Sequence, residues 1–258
     1  MIRVAVKIAY LGEHFSGSQI QPDCRTVVGD VLSDLKMITK LSEEDIDLKL
    51  ASRTDKGVNS LGNVAVFNSS IDDPDILLRA LNAISKDIFY RSITFVDDDF
   101  NPRFAEKRLY RYVLRSDGID VSAVRSCAIL FSGEHDFTRF CKSNGKSTTL
   151  KLDPINVHTE GDMIILDFSA RYFLWNMIRR IVAAIALVGK GYASLSDIND
   201  ALDGKDITFG IARPDALTLV DVCYKNVEFI TPSADMFDKR VDEEMFKDDI
   251  RNMFFTSL

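Results

Sequence analysis

Histidine and cysteine are scarce in this chain, with three His and four Cys among 258 residues. Cys24, Cys127, Cys141 and Cys223 lie far apart, with no Cys-x-x-Cys pair and no His at ligand spacing. That pattern fits neither a zinc site nor the cross-linked framework of a small secreted domain, and points to reduced, mostly buried thiols in a cytosol. His14, His135 and His158 are equally scattered, so a metal centre or a Ser-His-Asp triad has little to recruit from. An enzyme built on this chain has to work through carboxylates, tyrosines and arginines. Long apolar runs are also missing: none approaches the roughly 18 to 20 residues of a membrane span. Met1–Ile2–Arg3 leads into an alternating pattern rather than a signal-peptide core, so a cytoplasmic protein without membrane contact is expected. Low-complexity segments and short repeats are absent. Basic residues are in deficit, 32 against 39 acids, for a net charge of −7, which on its face argues against a nucleic-acid partner.

What is present is an ordinary globular composition, 46% apolar and 28% charged, long enough for one large domain or two small ones. Ile2, Val4, Val6, Ile8 and Tyr10 alternate with Arg3, Ala5, Lys7 and Ala9, which predicts a strand with one buried face. After a loop over 11–24, Thr26 precedes Val28, Val31, Leu32, Leu35 and Ile38 at helical spacing. Leu48–Ala51 reads as a short strand, followed by a polar stretch to Asn63 and a strand at Val64–Phe67. Asp73–Pro74 supplies the cap and first turn of a helix through Leu77, Leu78, Leu81 and Ile84. A strand at Ile88–Phe95 closes this half. Beyond the acidic hinge Asp97–Asp98–Asp99 the pattern predicts a strand at Leu109–Arg115 and helices over 120–131 and Asp136–Cys141. Strands at Ile155–His158 and Met163–Ala170, helices at Phe173–Val188 and Leu195–Leu202, and a strand at Leu217–Phe229 follow. The tail 235–258 reads as a short amphipathic helix docking back onto the body. The class is α+β, mostly antiparallel, with halves at 1–100 and 101–258.

Three segments carry the chemistry. In Ala51-Ser52-Arg53-Thr54-Asp55-Lys56-Gly57 a carboxylate lies between two cations on a loop joining two strands. Cations that close favour the ionised Asp55, which suits a nucleophile better than a proton donor, although Asp-Lys-Gly is also ordinary turn chemistry. In 103–115, Arg103, Lys107, Arg108, Arg111 and Arg115 face a single acid, Glu106. A strand there puts Tyr110 and Tyr112 on one face and Arg111 on the other. Aromatics on a basic strand can stack nucleobases, or can be core tyrosines on a charged edge strand. In 171–181, Arg179 and Arg180 interrupt an apolar helical stripe. They either reach out to water or turn inward onto a carboxylate such as Asp55.

Taken together the segments resemble the tRNA pseudouridine synthase A family. Ser52-Arg53-Thr54-Asp55-x-Gly57-Val58 with Leu61-Gly62-x-Val64 is similar to its catalytic motif, and Arg103-Phe104 with Leu109-Tyr110-Arg111-Tyr112 to its Arg-Phe and Tyr-Arg-Tyr segment. Gly133-Glu134-His135-Asp136-Phe137-Thr138-x-Phe140, then Phe173-Leu174 with Met177-Ile178-Arg179, and Leu217-x-Leu219-Val220 follow in the family's order. The chain departs from the common pattern at Ser52 (usually Gly), Lys56 (usually Ala) and Asn59 (usually His). Gly17-Ser18-Gln19 replaces the common Gly-Trp-Gln.

The resemblance implies two ferredoxin-like or RRM-like halves joined into one mostly antiparallel sheet, with helices on one face and a central active-site cleft. It implies isomerisation of uridine to pseudouridine in the tRNA anticodon stem-loop, at nucleotides 38 to 40 or a subset, without metal or cofactor. Asp55 is then the nucleophile, toward C1′ of the ribose or C6 of the base, with Arg179 pairing to it and Tyr110 stacking on the flipped base. Leu217 forms part of the apolar wall and Arg53 stabilises the flipped state. Arg108 and Arg111 in the basic run, with Arg171, Arg180 and Lys190, contact phosphates. A homodimer carrying tRNA across both subunits is expected. Two rivals are a catalytically inactive tRNA-binding paralogue and a cofactor-free small-molecule enzyme using a paired Asp and Arg. The acid excess does not contradict an RNA partner: residues 69–100 hold 7 acids against 3 bases and 235–258 hold 7 against 4, which accounts for all of it. The remainder is neutral and can present a basic face.

Overall fold

The computed structural model describes residues 1–143, 145, 147–231 and 236–256. An eight-stranded sheet organises them. In the first half, β1 (Ile2–Tyr10), α1 (Val27–Thr39), the single turn α2 (Glu43–Ile46), β2 (Lys49–Leu50), β3 (Asn59–Ser69), α3 (Pro74–Ile84) and β4 (Phe89–Phe95) follow in order. Their strands lie side by side as β4-β1-β3-β2. In the second half, the sheet strands are β5 (Lys107–Arg115), β8 (Asn156–Glu160), β9 (Met163–Ala170) and β10 (Leu217–Cys223). These lie as β10-β5-β9-β8, the same order of first, second, third and fourth strand. The two quartets join where β10 runs parallel to β3, with Thr218 opposite Asn59 and Leu219 opposite Ser60. Every other pairing is antiparallel. The α+β class and the ferredoxin-like strand order of each half match the expectation.

Register also fixes the layers. Val4, Val6, Ile8 and Tyr10 share a face with their partners Phe67, Ala65, Asn63 and Ser60. Ser60 continues across the sheet to Leu219, Tyr110 and Phe168. One face therefore runs through both halves, and all the packed helices cover it. In the first half Val31 and Leu35 of α1 and Leu77 and Leu81 of α3 bury against it. In the second it meets α4 (Val121–Leu130), α5 (Met177–Gly189) and α6 (Leu195–Leu202), through Val124, Ile181, Ile185 and Ile198. Each fully buried Leu, Ile, Val or Phe contributes about 1.5 to 3 kcal/mol, so these two clusters dominate the stability.

Helix starts follow local chemistry. Thr26 accepts the Gly29 N–H, Asp73 accepts those of Asp75 and Ile76 ahead of Pro74, Asp120 caps α4, and Ser194 with Asp197 forms a capping box. Several expectations need correction. Both faces of β1 are buried, since Arg3, Ala5 and Ala9 are covered as well as Val4, Val6, Ile8 and Tyr10. The strand expected at Val64–Phe67 begins at Asn59. Asp136–Cys141 is not a helix: β6 (Gly133–Asp136) pairs with β7 (Thr149–Leu152), and only a 3-10 turn follows at Thr138–Phe140. Asp136 takes the N–H and hydroxyl of Thr138 and the hydroxyl of Thr148, which holds the chain in a turn. Next, α5 begins at Met177 rather than Phe173, because Asn176 sits left-handed at φ 62°. The last strand stops at Cys223, ahead of a turn with Asn226 at φ 59°. Finally, the tail is a 19-residue helix, α7 (Asp238–Thr256), with no buried residue. At its start Arg240 donates to the carbonyls of Lys86 and Ile88 and lies over the Phe89 ring. Residues 235, 257 and 258 of that expected tail lie outside the described residues.

The contrast between α5 and α7 sets a test. Ile185→Ala is expected to lower the unfolding free energy by about 3 kcal/mol, since Ile185 is fully buried. Phe246→Ser on the exposed α7 is expected to change it by less than about 0.5 kcal/mol. Urea titrations read both.

Candidate active site

Asp55 lies on the loop between β2 and β3, and buried polar groups set that loop. Asn63, wholly buried, donates to the Ser52 carbonyl and accepts the Ser52 N–H, at 2.9 and 3.1 Å. Ser18, also wholly buried, accepts the Thr54 N–H through its hydroxyl at 2.9 Å, and its own N–H reaches the Thr54 carbonyl at 3.0 Å. The Tyr10 hydroxyl lies 2.9 Å from Thr54 Oγ1. Buried polar groups persist only when hydrogen-bonded, and these bond chiefly to the loop backbone, so the loop's shape is tied to the core. Asn59 accepts the Gly12 N–H and donates to the Asp215 carbonyl, each at 2.8 Å, linking three loops. A side chain at Gly12 would meet the Gly57 and Val58 backbone at 2.4 Å, so glycine is required for that approach.

Asp55 faces α5. Its Oδ2 lies 3.2 Å from an Arg179 terminal nitrogen, and its Oδ1 accepts the Trp175 indole N–H at 3.2 Å. Arg179 is largely buried and held by two further acceptors, the Ala212 carbonyl at 2.8 Å and Asn176 Oδ1 at 3.3 Å. The Ala212 N–H in turn donates to the Arg179 carbonyl at 3.0 Å, so the segment before β10 is laced to α5. This is the inward choice for Arg179, with the desolvation of the guanidinium offset by three acceptors.

Tyr110, on the inner face of β5, packs edge-on against Phe173 with ring centres 5.2 Å apart. Burial pushes its phenol well above the ordinary tyrosine range, against the opposing influence of the Arg108 charge and the Ser52 hydroxyl. Phe173, against which the Tyr110 ring packs, lies two residues before Trp175, whose indole meets Asp55, so the ring and the carboxylate border one site. Leu217 is buried opposite Tyr112, whose phenol burial pushes up to about 12. Asp55, Arg179, Tyr110 and Leu217 are thus brought to one region, and Arg53 stands exposed two residues before Asp55.

The other two basic candidates go elsewhere. Arg108 is 7% exposed, on the same face as Tyr110. Its guanidinium donates to Ser52 Oγ at 2.9 Å and to the carbonyls of Ala51, Arg103 and Arg171. It braces the Asp55 loop from a buried position, and burial lowers its pKa. Ser52, where the family pattern has glycine, supplies one of its acceptors. Arg111 points out of the opposite face into a two-pronged pair with Asp167, at 2.7 and 3.1 Å. Trp175, Asn176 and the 212–215 segment are site residues that the sequence reading passed over. For Trp175 the signal was its place within the quoted 171–181 segment, two residues from the apolar stripe.

Known proteins that resemble this chain identify its family. A family described as tRNA pseudouridine synthase matches residues 127–225. The tRNA pseudouridine synthase A of Pyrococcus abyssi is 40% identical over 98% of this chain and 97% of its own. The chain belongs to the tRNA pseudouridine synthase A family. Its members from Pyrococcus horikoshii and Archaeoglobus fulgidus are 40% and 38% identical over 88% and 89% of this chain, and 87% and 86% of theirs. The protein is therefore a pseudouridine synthase, an isomerase. No helix among the described residues is long and apolar enough to cross a membrane.

Two arginines separate a structural from a peripheral role. Arg108→Ala strands four acceptors and is expected to destabilise the synthase by about 2 to 4 kcal/mol. Arg111→Ala breaks an exposed pair and is expected to cost under about 1 kcal/mol. Chemical denaturation of the two variants measures the difference.

Proposed function

We propose that this synthase isomerises uridines of the tRNA anticodon stem-loop, at nucleotides 38 to 40 or a subset, with Asp55 as nucleophile. The observation that carries the reading is the ion pair between Asp55 and Arg179, set beneath a rim of uncommitted cations and exposed rings. Arg53, Lys56, Arg103 and Arg171 are exposed, and none of their side chains has a hydrogen bond or ion pair among the described residues. The Arg103 and Arg171 backbones are both tied to Arg108 at the Ser52 end of the catalytic loop, which gathers these charges around it. Phe104 and Tyr172 stand exposed among them. Cations that lack protein partners are available to phosphates, and exposed rings to unstacked bases. These take the role that Arg108 and Arg111 cannot.

A stem uridine has to be extruded to be reached, at a cost of a few kcal/mol. In this reading Arg53 stabilises the flipped state and the Tyr110 ring stacks on the base against Leu217. Asp55 then bonds to C1′, releasing uracil with the electron pair of the N–C1′ bond, or adds to C6, pushing electrons toward C4=O, after which the N–C1′ bond breaks. C5 then bonds to C1′, the bond to Asp55 breaks and returns its electron pair to the carboxylate, and loss of the C5 proton completes the isomerisation. Burial keeps Tyr110 a neutral phenol, which suits a stacking and hydrogen-bonding surface; to take the C5 proton as phenolate it would have to ionise against that burial. Both halves, 1–100 and 101–258, are needed, because the nucleophile comes from one and Arg179 and Tyr110 from the other. Cytoplasmic tRNA as substrate and a homodimer that spans it complete the proposal.

Release of tritium from C5-labelled uridine in tRNA tests it. Wild type is expected to release label and Asp55→Ala none, with Arg179→Ala reduced by at least about a hundredfold through loss of the oriented carboxylate. Mapping the modified positions checks the 38 to 40 assignment. Label release from Asp55→Ala at the wild-type rate would remove Asp55 from the mechanism.

A further inference from the structure

The two oxygens of Asp55 are engaged unequally. Oδ2 belongs to Arg179, which is held at 2.8 Å by the Ala212 carbonyl and at 3.3 Å by Asn176. That donor has no free direction to move. Oδ1 belongs to Trp175, which is 49% exposed. The Trp175 backbone is fixed, since its carbonyl accepts the Lys142 N–H at 2.8 Å and Asn176 follows in the left-handed region. Its side chain is not enclosed. It borders a cavity of about 400 Å³ shared with Lys142, Ser147, Thr148 and Tyr172, and the Lys142 ammonium lies 4.0 Å above the indole ring.

Each oxygen of a carboxylate has two lone pairs, so one hydrogen bond leaves Oδ1 able to attack but holds back its charge and narrows the directions of approach. Release of a donor therefore raises its reactivity, and of the two donors only Trp175 has both exposure and adjoining space. We propose that Trp175 is a latch on the nucleophile: in the free enzyme its indole N–H caps Oδ1, and tRNA binding turns the side chain into the neighbouring cavity, where Lys142 keeps its contact with the ring. Oδ1 is then the attacking atom, whichever carbon it meets, while Arg179 stays on Oδ2 and keeps the carboxylate charged and aimed. Trp175 is a positioning residue that acts before chemistry, and it makes no bond to the reacting atoms. The free enzyme gains a nucleophile that is capped until substrate arrives. The latch rests on the synthase reading of Asp55.

The chain contains one tryptophan, so any indole signal reports on this contact alone. Protein labelled with 5-fluorotryptophan is expected to give a single fluorine resonance that moves in free Asp55→Ala, where the bond is lost. In wild type it is expected to move to a new position on saturation with an unmodified tRNA transcript. Trp175→Phe keeps an aromatic side chain but has no N–H. It is expected to keep kcat within about threefold of wild type, with KM lowered about threefold because no bond has to break on binding. A fall in kcat of roughly tenfold at unchanged KM would show that the donor is needed in the transition state and overturn the latch. A rise in KM alone would make the indole a contact for bound RNA and also overturn it. A resonance unmoved by a tRNA that the same preparation turns over, by tritium release, removes the latch and leaves the synthase reading intact. No tritium release from any tRNA sinks that reading, and the latch with it.

Discussion

A carboxylate and a guanidinium 124 residues apart in sequence meet because two strands run side by side for two residues. The parallel contact of β10 with β3 at Asn59 and Ser60 turns two similar four-stranded units into one sheet. Asp55 precedes β3, and the 212–216 segment that holds Arg179 precedes β10. Parallel strands start at the same end, so both lead-in loops emerge together, and α5 descends between them. Tyr110 lies on the strand next to β10. Pairing at the seam therefore determines whether there is a site at all.

Around that seam the chain spends buried polar groups where an interior normally spends aliphatic ones. Ser18, Asn63, Thr54, Ser52 and Arg108 are all buried, and each bonds to the catalytic loop or belongs to it. An apolar core tolerates exchange of similar volumes, whereas a hydrogen-bonded loop has one geometry. The departures from the family pattern fit this logic. Ser52 gives Arg108 an acceptor, Asn59 ties the Gly12 and Asp215 backbones together, and Ser18 forms a two-way bridge to Thr54. Three of the four departures have become bracing points, while Lys56 stays exposed.

The strands and helices with strict periodicity were readable because packing imposes the period: in β1 the large apolar residues fall on every second position, with the small Ala5 and Ala9 buried on the other face, and α1, α3 and α5 repeat an apolar stripe. The start of β3 was hidden, since Asn59, Ser60 and Asn63 look like loop residues until the seam buries them. Asp55, Arg179 and Tyr110 were legible through motifs of fixed order. Arg108 was misread as an RNA contact because a cation suggests solvent, yet alternation already placed it on the inner face with Tyr110 and Tyr112. Trp175 carried no periodic signal, for it belongs to an extended lead-in whose direction only the left-handed Asn176 sets. The tail failed for a different reason: mixed charge and scattered aromatics predict a helix but name no surface to receive it.

The bracing by Arg108 also bears on how the chain acquires reactivity as it folds. Its four acceptors come from residues 51, 52, 103 and 171, so the catalytic loop is fixed only after segments from both quartets have docked. Contacts this distant in sequence form late, once the loop-closure entropy between them has been overcome. A nascent or half-unfolded chain carries Asp55 as an ordinary solvated aspartate, without Arg179 to aim it and without a closed surface to receive a base. The shape of the Asp55 loop is in this way a property of the finished fold, set by the same step that completes it.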